Sequence, residues 1–364
     1  MPIQVMLVDD SSIVRELIKR ALTADTGIEI VATAFNGAVA IPLAKKHQPD
    51  IIILDVEMPE MDGITALPKL LEAAPNAKVI MASTLTMRNA GISLQALELG
   101  ASDCIAKPTA RGPEELEIFY GELRKTISAL AGSKKPQASS FVAASPSAAA
   151  IVKVASKPVK LLSPDAPVTV PVKALAIASS TGGPQALMTV FGGFKDQFKH
   201  IPIFVTQHMP PTFTTILAEH ISKAGNRSVH EGKEGEIVQP GQTYVAPGNF
   251  HMVVEKRADA VIIHTNQDAP ENFCRPAADP MLRSLSAVYG TGLLAVVLTG
   301  MGSDGLEGAK IVVQKGGHVI AQNEATCVVW GMPRAVTEQG ICRAVLPLTE
   351  IAPYLIRMIS HAHK

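Results

Sequence analysis

Residues 50–63 read DIIILDVEMPEMDG. After its first residue, the run Asp50–Leu54 is wholly apolar, without the alternation of a half-solvated strand. It reads as a parallel strand buried on both faces. Asp55 closes it, and in open α/β sheets functional groups sit just past the carboxyl ends of strands. Working outward, Gln4–Val8, Ile28–Ala34, Lys78–Ala82 and Asp103–Ala106 are further short apolar runs. Helical patterns separate them: Ser11 or Ser12 caps a helix reaching about Ala24, and Asn36-Gly37 is a turn before a second. Five β-α units in this span predict a doubly wound parallel sheet.

That topology gathers particular side chains on one edge. Asp9 and Asp10 follow the first strand, Asp55 the third, Ser83 the fourth and Lys107 the fifth. Three neighbouring carboxylates repel one another and call for a cation, and hard oxygen ligands with water suit Mg²⁺. A carboxylate beside Mg²⁺ and a lysine can accept a phosphoryl group, because both cations neutralise charge on its oxygens.

The rest of the 364-residue chain changes character twice. Residues 1–130 carry 12 basic and 17 acidic side chains, residues 131–172 carry five Lys and one acid, and residues 173–364 carry 16 and 15. The middle stretch draws 27 of its 42 residues from Ala, Ser, Pro and Lys, with six prolines, so it reads as a linker. The expected organisation is a first domain at 1–128, a linker at 129–172 and a second domain at 173–364. Zero formal net charge gives no case for nucleic-acid binding. No apolar run reaches a membrane span, and the start MPIQVMLVDD lacks the cationic region of a secretory signal. Four scattered cysteines form neither a disulfide framework nor a metal motif, so a cytoplasmic setting is expected.

In the second domain, Ala174–Ala178, Ile201–Thr206, Val261–His264, Leu293–Thr299 and His318–Gln322 are strand candidates, which predicts a second open α/β sheet. The first runs into Ser179-Ser180-Thr181-Gly182-Gly183-Pro184. A hydroxyl there sits at a helix N-terminus, where main-chain N–H groups stabilise an anion. A nucleophile turn and a simple helix cap or phosphate site both fit this segment, and Ala178 breaks the G-x-S-x-G pattern. Two later strand ends supply partners: His208 in QHMPP and Asp304 in GMGSDG. Ser180, His208 and Asp304 then meet as nucleophile, base and orienting carboxylate.

Asp9-Asp10, LDVEMPEMDG at 54–63, Ser83 and Lys107-Pro108 together resemble a response-regulator receiver domain. The segments STGGP, TQHMPP, YVAPGNFHM, RPAAD, LTGMGSDG and AQNEATCVVWGMPR resemble the catalytic domain of the chemotaxis protein-glutamate methylesterase family, CheB. The resemblance implies a flavodoxin-like receiver followed by a Rossmann-like esterase domain. Asp55 would be the phospho-acceptor, Ser83 and Lys107 would contact the phosphoryl group, and Asp9, Asp10, Asp55 and the Glu57 main chain would hold Mg²⁺. Ser180, His208 and Asp304 would form the triad, with Thr181 and Met301 serving the oxyanion and Arg275 near the substrate. The esterase chemistry would need no cofactor. Implied partners are methyl-accepting chemotaxis receptors as substrate and a chemotaxis histidine kinase as phosphodonor, with the chain a monomer. Glutamine deamidation is implied as a second activity, and the alternative is a non-catalytic regulator that only binds receptor or kinase.

Overall fold

The computed structural model describes residues 2–23, 27–84, 86–107, 112–132, 170–194 and 196–361. The greater part of the expected linker, and Pro108, lie outside the described residues. The first unit alternates β1 (Ile3–Val8), α1 (Ser12–Thr23), β2 (Ile28–Ala34), α2 (Gly37–His47), β3 (Ile51–Asp55), α3 (Gly63–Ala73), β4 (Lys78–Ser83), α4 (Met87–Glu98), β5 (Asp103–Ala106) and α5 (Pro113–Gly132). Its five strands are parallel in the order β2-β1-β3-β4-β5. All five residues of β3 are buried, as its continuous apolar sequence demands. The stretch after β3 turns back on the strand: the Gly63 N–H donates to the Val56 carbonyl at 3.0 Å. A Cβ on Gly63 would stand 2.0 Å from the Asp55 carbonyl oxygen, so only glycine closes this turn.

The second unit comprises β6 (Ala174–Ser179), α6 (Gly183–Gly192), β7 (Ile203–Gln207), α7 (Phe213–Gly225), β8 (Val229–Glu231), β9 (Thr243–Val245), β10 (His251–Arg257), β11 (Ala260–Asn266), α8 (Ala278–Tyr289), β12 (Leu293–Val297), α9 (Leu306–Gln314), β13 (His318–Gln322), α10 (Met332–Glu338), β14 (Ala344–Leu346) and α11 (Leu348–His361). Seven parallel strands run in the order β14-β13-β12-β6-β7-β9-β8. The central β12, β6 and β7 are fully buried, Val/Ile/Ala-rich runs. Val261–His264 belongs elsewhere than the sequence reading placed it. It lies within β11, which pairs antiparallel with β10 in a separate two-stranded sheet. Only Ile263 of β11 is buried, and β10 packs on α8 rather than joining the parallel ladder. A strand with one buried residue lacks the two apolar faces that an interior parallel position requires.

The two units share a face. Gln185 of α6 donates its amide to the carbonyls of Leu97 and Ala101 (3.2 and 2.8 Å), and His220 of α7 meets Glu98 of α4 at 3.0 Å. The buried Val329 of the second unit joins the apolar cluster of β5 and α5, with Val328 and Met301 packed beside it. Helix α4 therefore serves as an interface helix as well as a core helix.

Candidate catalytic and phosphoryl-acceptor sites

The first site stands at the carboxyl edge of the five-stranded sheet. Lys107 reaches across β1 and β3, its ammonium donating to Asp9 Oδ2 at 2.6 Å and pairing with Asp55 Oδ1 at 2.7 Å. Carboxylate oxygens of Asp9, Asp10 and Asp55 lie within 4.8 Å of one another. Burial raises the Asp55 carboxyl to about 6; Lys107 pulls it back, while Asp9 and Asp10 push it up. An acidic set that still carries mutual repulsion after lysine pairing is the donor chemistry of a hard divalent cation, so Mg²⁺ fits here. The buried Ser83 hydroxyl accepts from Ser93 at 2.9 Å, and the Ser83 carbonyl accepts from the Lys107 N–H at 2.7 Å. A shallow cleft of about 460 Å³, lined by Asp10, Glu57, Met58 and Arg88 among others, opens beside the acids.

The second site is assembled by strand register. Ala178 pairs with Thr206 and Ser179 with Gln207 across β6 and β7, so the next residues, Ser180 and His208, leave the sheet side by side. On the other flank of β6, the Ser180 N–H donates to the Thr299 carbonyl at 3.1 Å. His208 Nε2 meets Asp304 Oδ2 at 2.7 Å. Asp304 is buried and also accepts from the main-chain N–H groups of Ala278, Asp279 (3.1 Å) and Gly305 (2.9 Å). Nε2 is thus engaged by the carboxylate. Burial opposes charge on His208, yet hydrogen bonds to Asp304 and Cys274 raise it to about 10. Asp304 is held below the ordinary carboxylate range: burial would raise it, but His208 and the α8 N–H groups outweigh that effect.

The two adjacent serines differ. Ser179 is fully buried and its hydroxyl donates to Gln207 Oε1 at 2.7 Å. Ser180 is half-buried, and among the described residues its hydroxyl has no hydrogen-bond partner, His208 included. Gln207 was not singled out from the sequence. Its buried amide donates to the Ser180 carbonyl at 2.9 Å and thereby fixes the main chain at this turn. Cys274 is a second addition, lying against His208. Asn272 is a third: its amide bridges Asp279 Oδ2 (3.1 Å) and Asp304 Oδ1 (3.2 Å). A polar residue before Arg-Pro carried no sequence signal of its own.

Thr181 is buried, and its hydroxyl donates to Asp103 Oδ2 of β5 at 2.8 Å. Among the described residues its N–H and that of Met301 have no partner. Arg275 is not brought onto the triad atoms; its guanidinium donates to Asn249 Oδ1 (2.8 and 3.2 Å) and to the carbonyls of Gln267 and Asp268. Gly300 builds the rear wall of the site, donating to the Val329 carbonyl at 3.0 Å and accepting from the N–H groups of Gly331 and Met332. A cleft of about 650 Å³ separates Met301 from Gly121, Arg124, Lys125 and Ser128 of α5. The first unit therefore stands beside Met301 and, through the Asp103–Thr181 bond, beside the turn that carries Ser180.

Residues 175–355 match the family described as CheB methylesterase, and residues 5–117 the response regulator receiver domain. A protein-glutamate methylesterase/protein-glutamine glutaminase of Azospirillum brasilense is 50% identical, the alignment covering 99% of this chain and 94% of the relative. Its counterpart in Paramagnetospirillum magneticum is 48% identical, covering 98% of this chain and 96% of that one. The crystal structure of the Thermotoga maritima CheB methylesterase catalytic domain aligns with 52% of this chain and all of its own, at 40% identity and a TM-score of 0.50.

Proposed function

Because this chain belongs to the CheB methylesterase family, we propose that Ser180, His208 and Asp304 carry out the family's reaction in it, with the receiver as the gate. The protein is a phosphorylation-regulated protein-glutamate methylesterase/glutaminase of chemotaxis. The observation that carries the residue assignment is the 2.7 Å His208–Asp304 pair beside a half-buried, unengaged Ser180.

Ser180 Oγ attacks the carbonyl carbon of a glutamate γ-methyl ester while its proton passes to Nδ1 of His208 in its neutral form, the form that reacts although the resting pair with Asp304 favours the charged one. The oxyanion is met by the N–H groups of Thr181 and Met301, whose partners are otherwise missing. His208 then gives its proton to the departing methoxide, releasing methanol, and water repeats the sequence on the acyl-enzyme. A glutamine side chain in the same position yields ammonia by the same steps. Asp304 holds the imidazole's orientation and offsets its charge. The Ser180–His208 hydrogen bond is absent from the resting arrangement, and apo sites commonly tighten only when substrate binds.

In the receiver, Asp9, Asp10, Asp55 and the Glu57 main chain would hold Mg²⁺, with Asp55 as acceptor. The ion, when bound, neutralises charge on the incoming phosphoryl oxygens. Lys107 and Ser83 would contact the phosphoryl group, drawing Lys107 off Asp9 and Asp55. Because β5 starts at Asp103, the partner of Thr181, and runs directly into Lys107, a change at the acid pocket bears on the turn that carries Ser180. Phosphorylation then shifts the population away from the resting contact. Methylated chemoreceptors are the substrate and a chemotaxis histidine kinase the phosphodonor in this reading. Among the described residues no helix is long and apolar enough to cross a membrane.

Methanol release from methylated receptor membranes, with and without a small phosphodonor and Mg²⁺, tests the whole reading. Release that rises with phosphodonor supports it. Tight receptor binding with no release would replace it with the binding-only alternative.

A further inference from the structure

Residues 271–274 form a two-residue hairpin turn at the rim of the catalytic cleft. Glu271 and Cys274 exchange main-chain hydrogen bonds (3.2 and 2.9 Å), and the central pair, Asn272 and Phe273, have φ of +52° and +65°. Two successive left-handed residues define a type I′ geometry, for which Asn-Gly is the favoured pair. Asn272 satisfies the rule and Phe273 violates it, since a bulky side chain pays steric cost in this region. Burial does not repay that cost, because Phe273 is 87% exposed.

The turn is nevertheless firmly mounted. Glu271 pairs with both terminal nitrogens of Arg283. Asn272 is tied to Asp279 and Asp304, and Cys274 lies against His208. Phe273 is thus the outward residue between two that touch the triad, and its position relative to the reacting atoms is fixed. The resting interface does not account for an aromatic ring here either. Lys125 of α5 sets its ammonium 4.3 Å from the ring centroid, and the ring is still almost entirely open. A strained backbone conformation beside a candidate catalytic site points to a functional role, and the exposed ring is the part of this turn without a packing role.

We propose that Phe273 is a specificity-determining residue that packs against an apolar side chain of the receptor helix beside the scissile ester. This rests on the methylesterase reading above. A surface ester on a helix gives the enzyme little to enclose, so a contact outside the ester itself supplies the discrimination. In the resting arrangement Lys125 stands over the ring face that the helix uses.

The test compares wild type with Phe273→Gly and Phe273→Leu under phosphodonor, on two probes: methylated chemoreceptor membranes and free N-acetylglutamate γ-methyl ester. Phe273→Gly is expected to lower kcat/KM on membranes about tenfold, through KM, as loss of one well-placed aromatic contact does. On the free ester the loss stays within about twofold. Its thermal midpoint should equal or exceed wild type, because glycine relieves the strained φ. Phe273→Leu keeps an apolar contact and stays within about threefold of wild type on membranes. Unchanged membrane kinetics in Phe273→Gly would overturn the proposal, as would an equal loss on both probes, which assigns the turn to holding the triad. If wild type itself releases no methanol from membranes, the methylesterase reading fails first and this proposal falls with it.

Discussion

Thr181→Val removes one hydroxyl while keeping the branched shape and the main-chain N–H. In the resting arrangement that hydroxyl donates to Asp103 Oδ2 at 2.8 Å. Burial raises the Asp103 carboxyl to about 6, against the opposing hydrogen bonds from Thr181 and the Cys104 N–H, so at pH 7.5 it is largely ionised. A hydrogen bond to an ionised group contributes about 1.5–3 kcal/mol, and removing the donor strands a desolvated carboxylate. Released domains give both groups back to water, so the loss falls on the resting arrangement alone. At 1.4 kcal/mol per tenfold, the resting-to-released ratio falls roughly 10- to 100-fold. Basal methanol release without phosphodonor should rise by that factor until it meets the stimulated rate, and the stimulation ratio should shrink in proportion. Below pH 6, where Asp103 carries a proton, the effect of the substitution should diminish. An unchanged basal rate with undiminished stimulation refutes the reasoning. A parallel fall in basal and stimulated rates refutes it differently, by placing the hydroxyl in the chemistry.

Further expectations concern the two reactive centres. Ser180→Ala should cut methanol release by about 10³-fold or more, and wild-type turnover in that variant would displace Ser180 as nucleophile. Asp55→Asn should keep basal release and lose stimulation by acetyl phosphate; full stimulation would remove Asp55 as acceptor. His208 is raised in the folded protein, so its pairing with Asp304 stabilises fully below about pH 6.5 and is lost as pH climbs toward 10. The difference in thermal midpoint between wild type and His208→Gln should therefore narrow between pH 6 and 10, and a constant gap would contradict the pairing.

The strands that were legible are those whose surroundings are uniform. Ile28–Ala34, Asp103–Ala106 and His318–Gln322 coincide with β2, β5 and β13, and Asp50–Leu54 differs from β3 by one residue at each end. Buried parallel strands are continuous apolar runs, and such runs are read without knowledge of their neighbours. The strands β8, β9 and β14 have three residues each, too few to show a period, and β10 ends in Glu-Lys-Arg, which reads as loop. They exist because neighbours supply their hydrogen bonds, a tertiary fact. The meeting of His208 with Asp304 was legible because both follow apolar strands, and strand ends converge by topology. Gln207, Asn272 and Cys274 were not. They meet Ser180, Asp304 and His208 across 27, 32 and 66 positions of sequence, and no local pattern encodes such a meeting. The register of Ser179 against Gln207 also had to be seen before the two serines separated into a buried hydroxyl and an available one.

Gly300 carries a consequence for how this enzyme can diversify. A Cβ there would lie 2.4 Å from Met332 Sδ and 2.8 Å from Ser180 Cβ. The rear of the cleft is consequently built of main chain that admits no side chain at that point, and mutational drift there is closed off. The rim turn at 271–274 faces solvent, so Phe273 is limited by its left-handed φ and not by the space around its side chain. Side-chain change is open at the rim, while the wall behind Ser180 stays as it is.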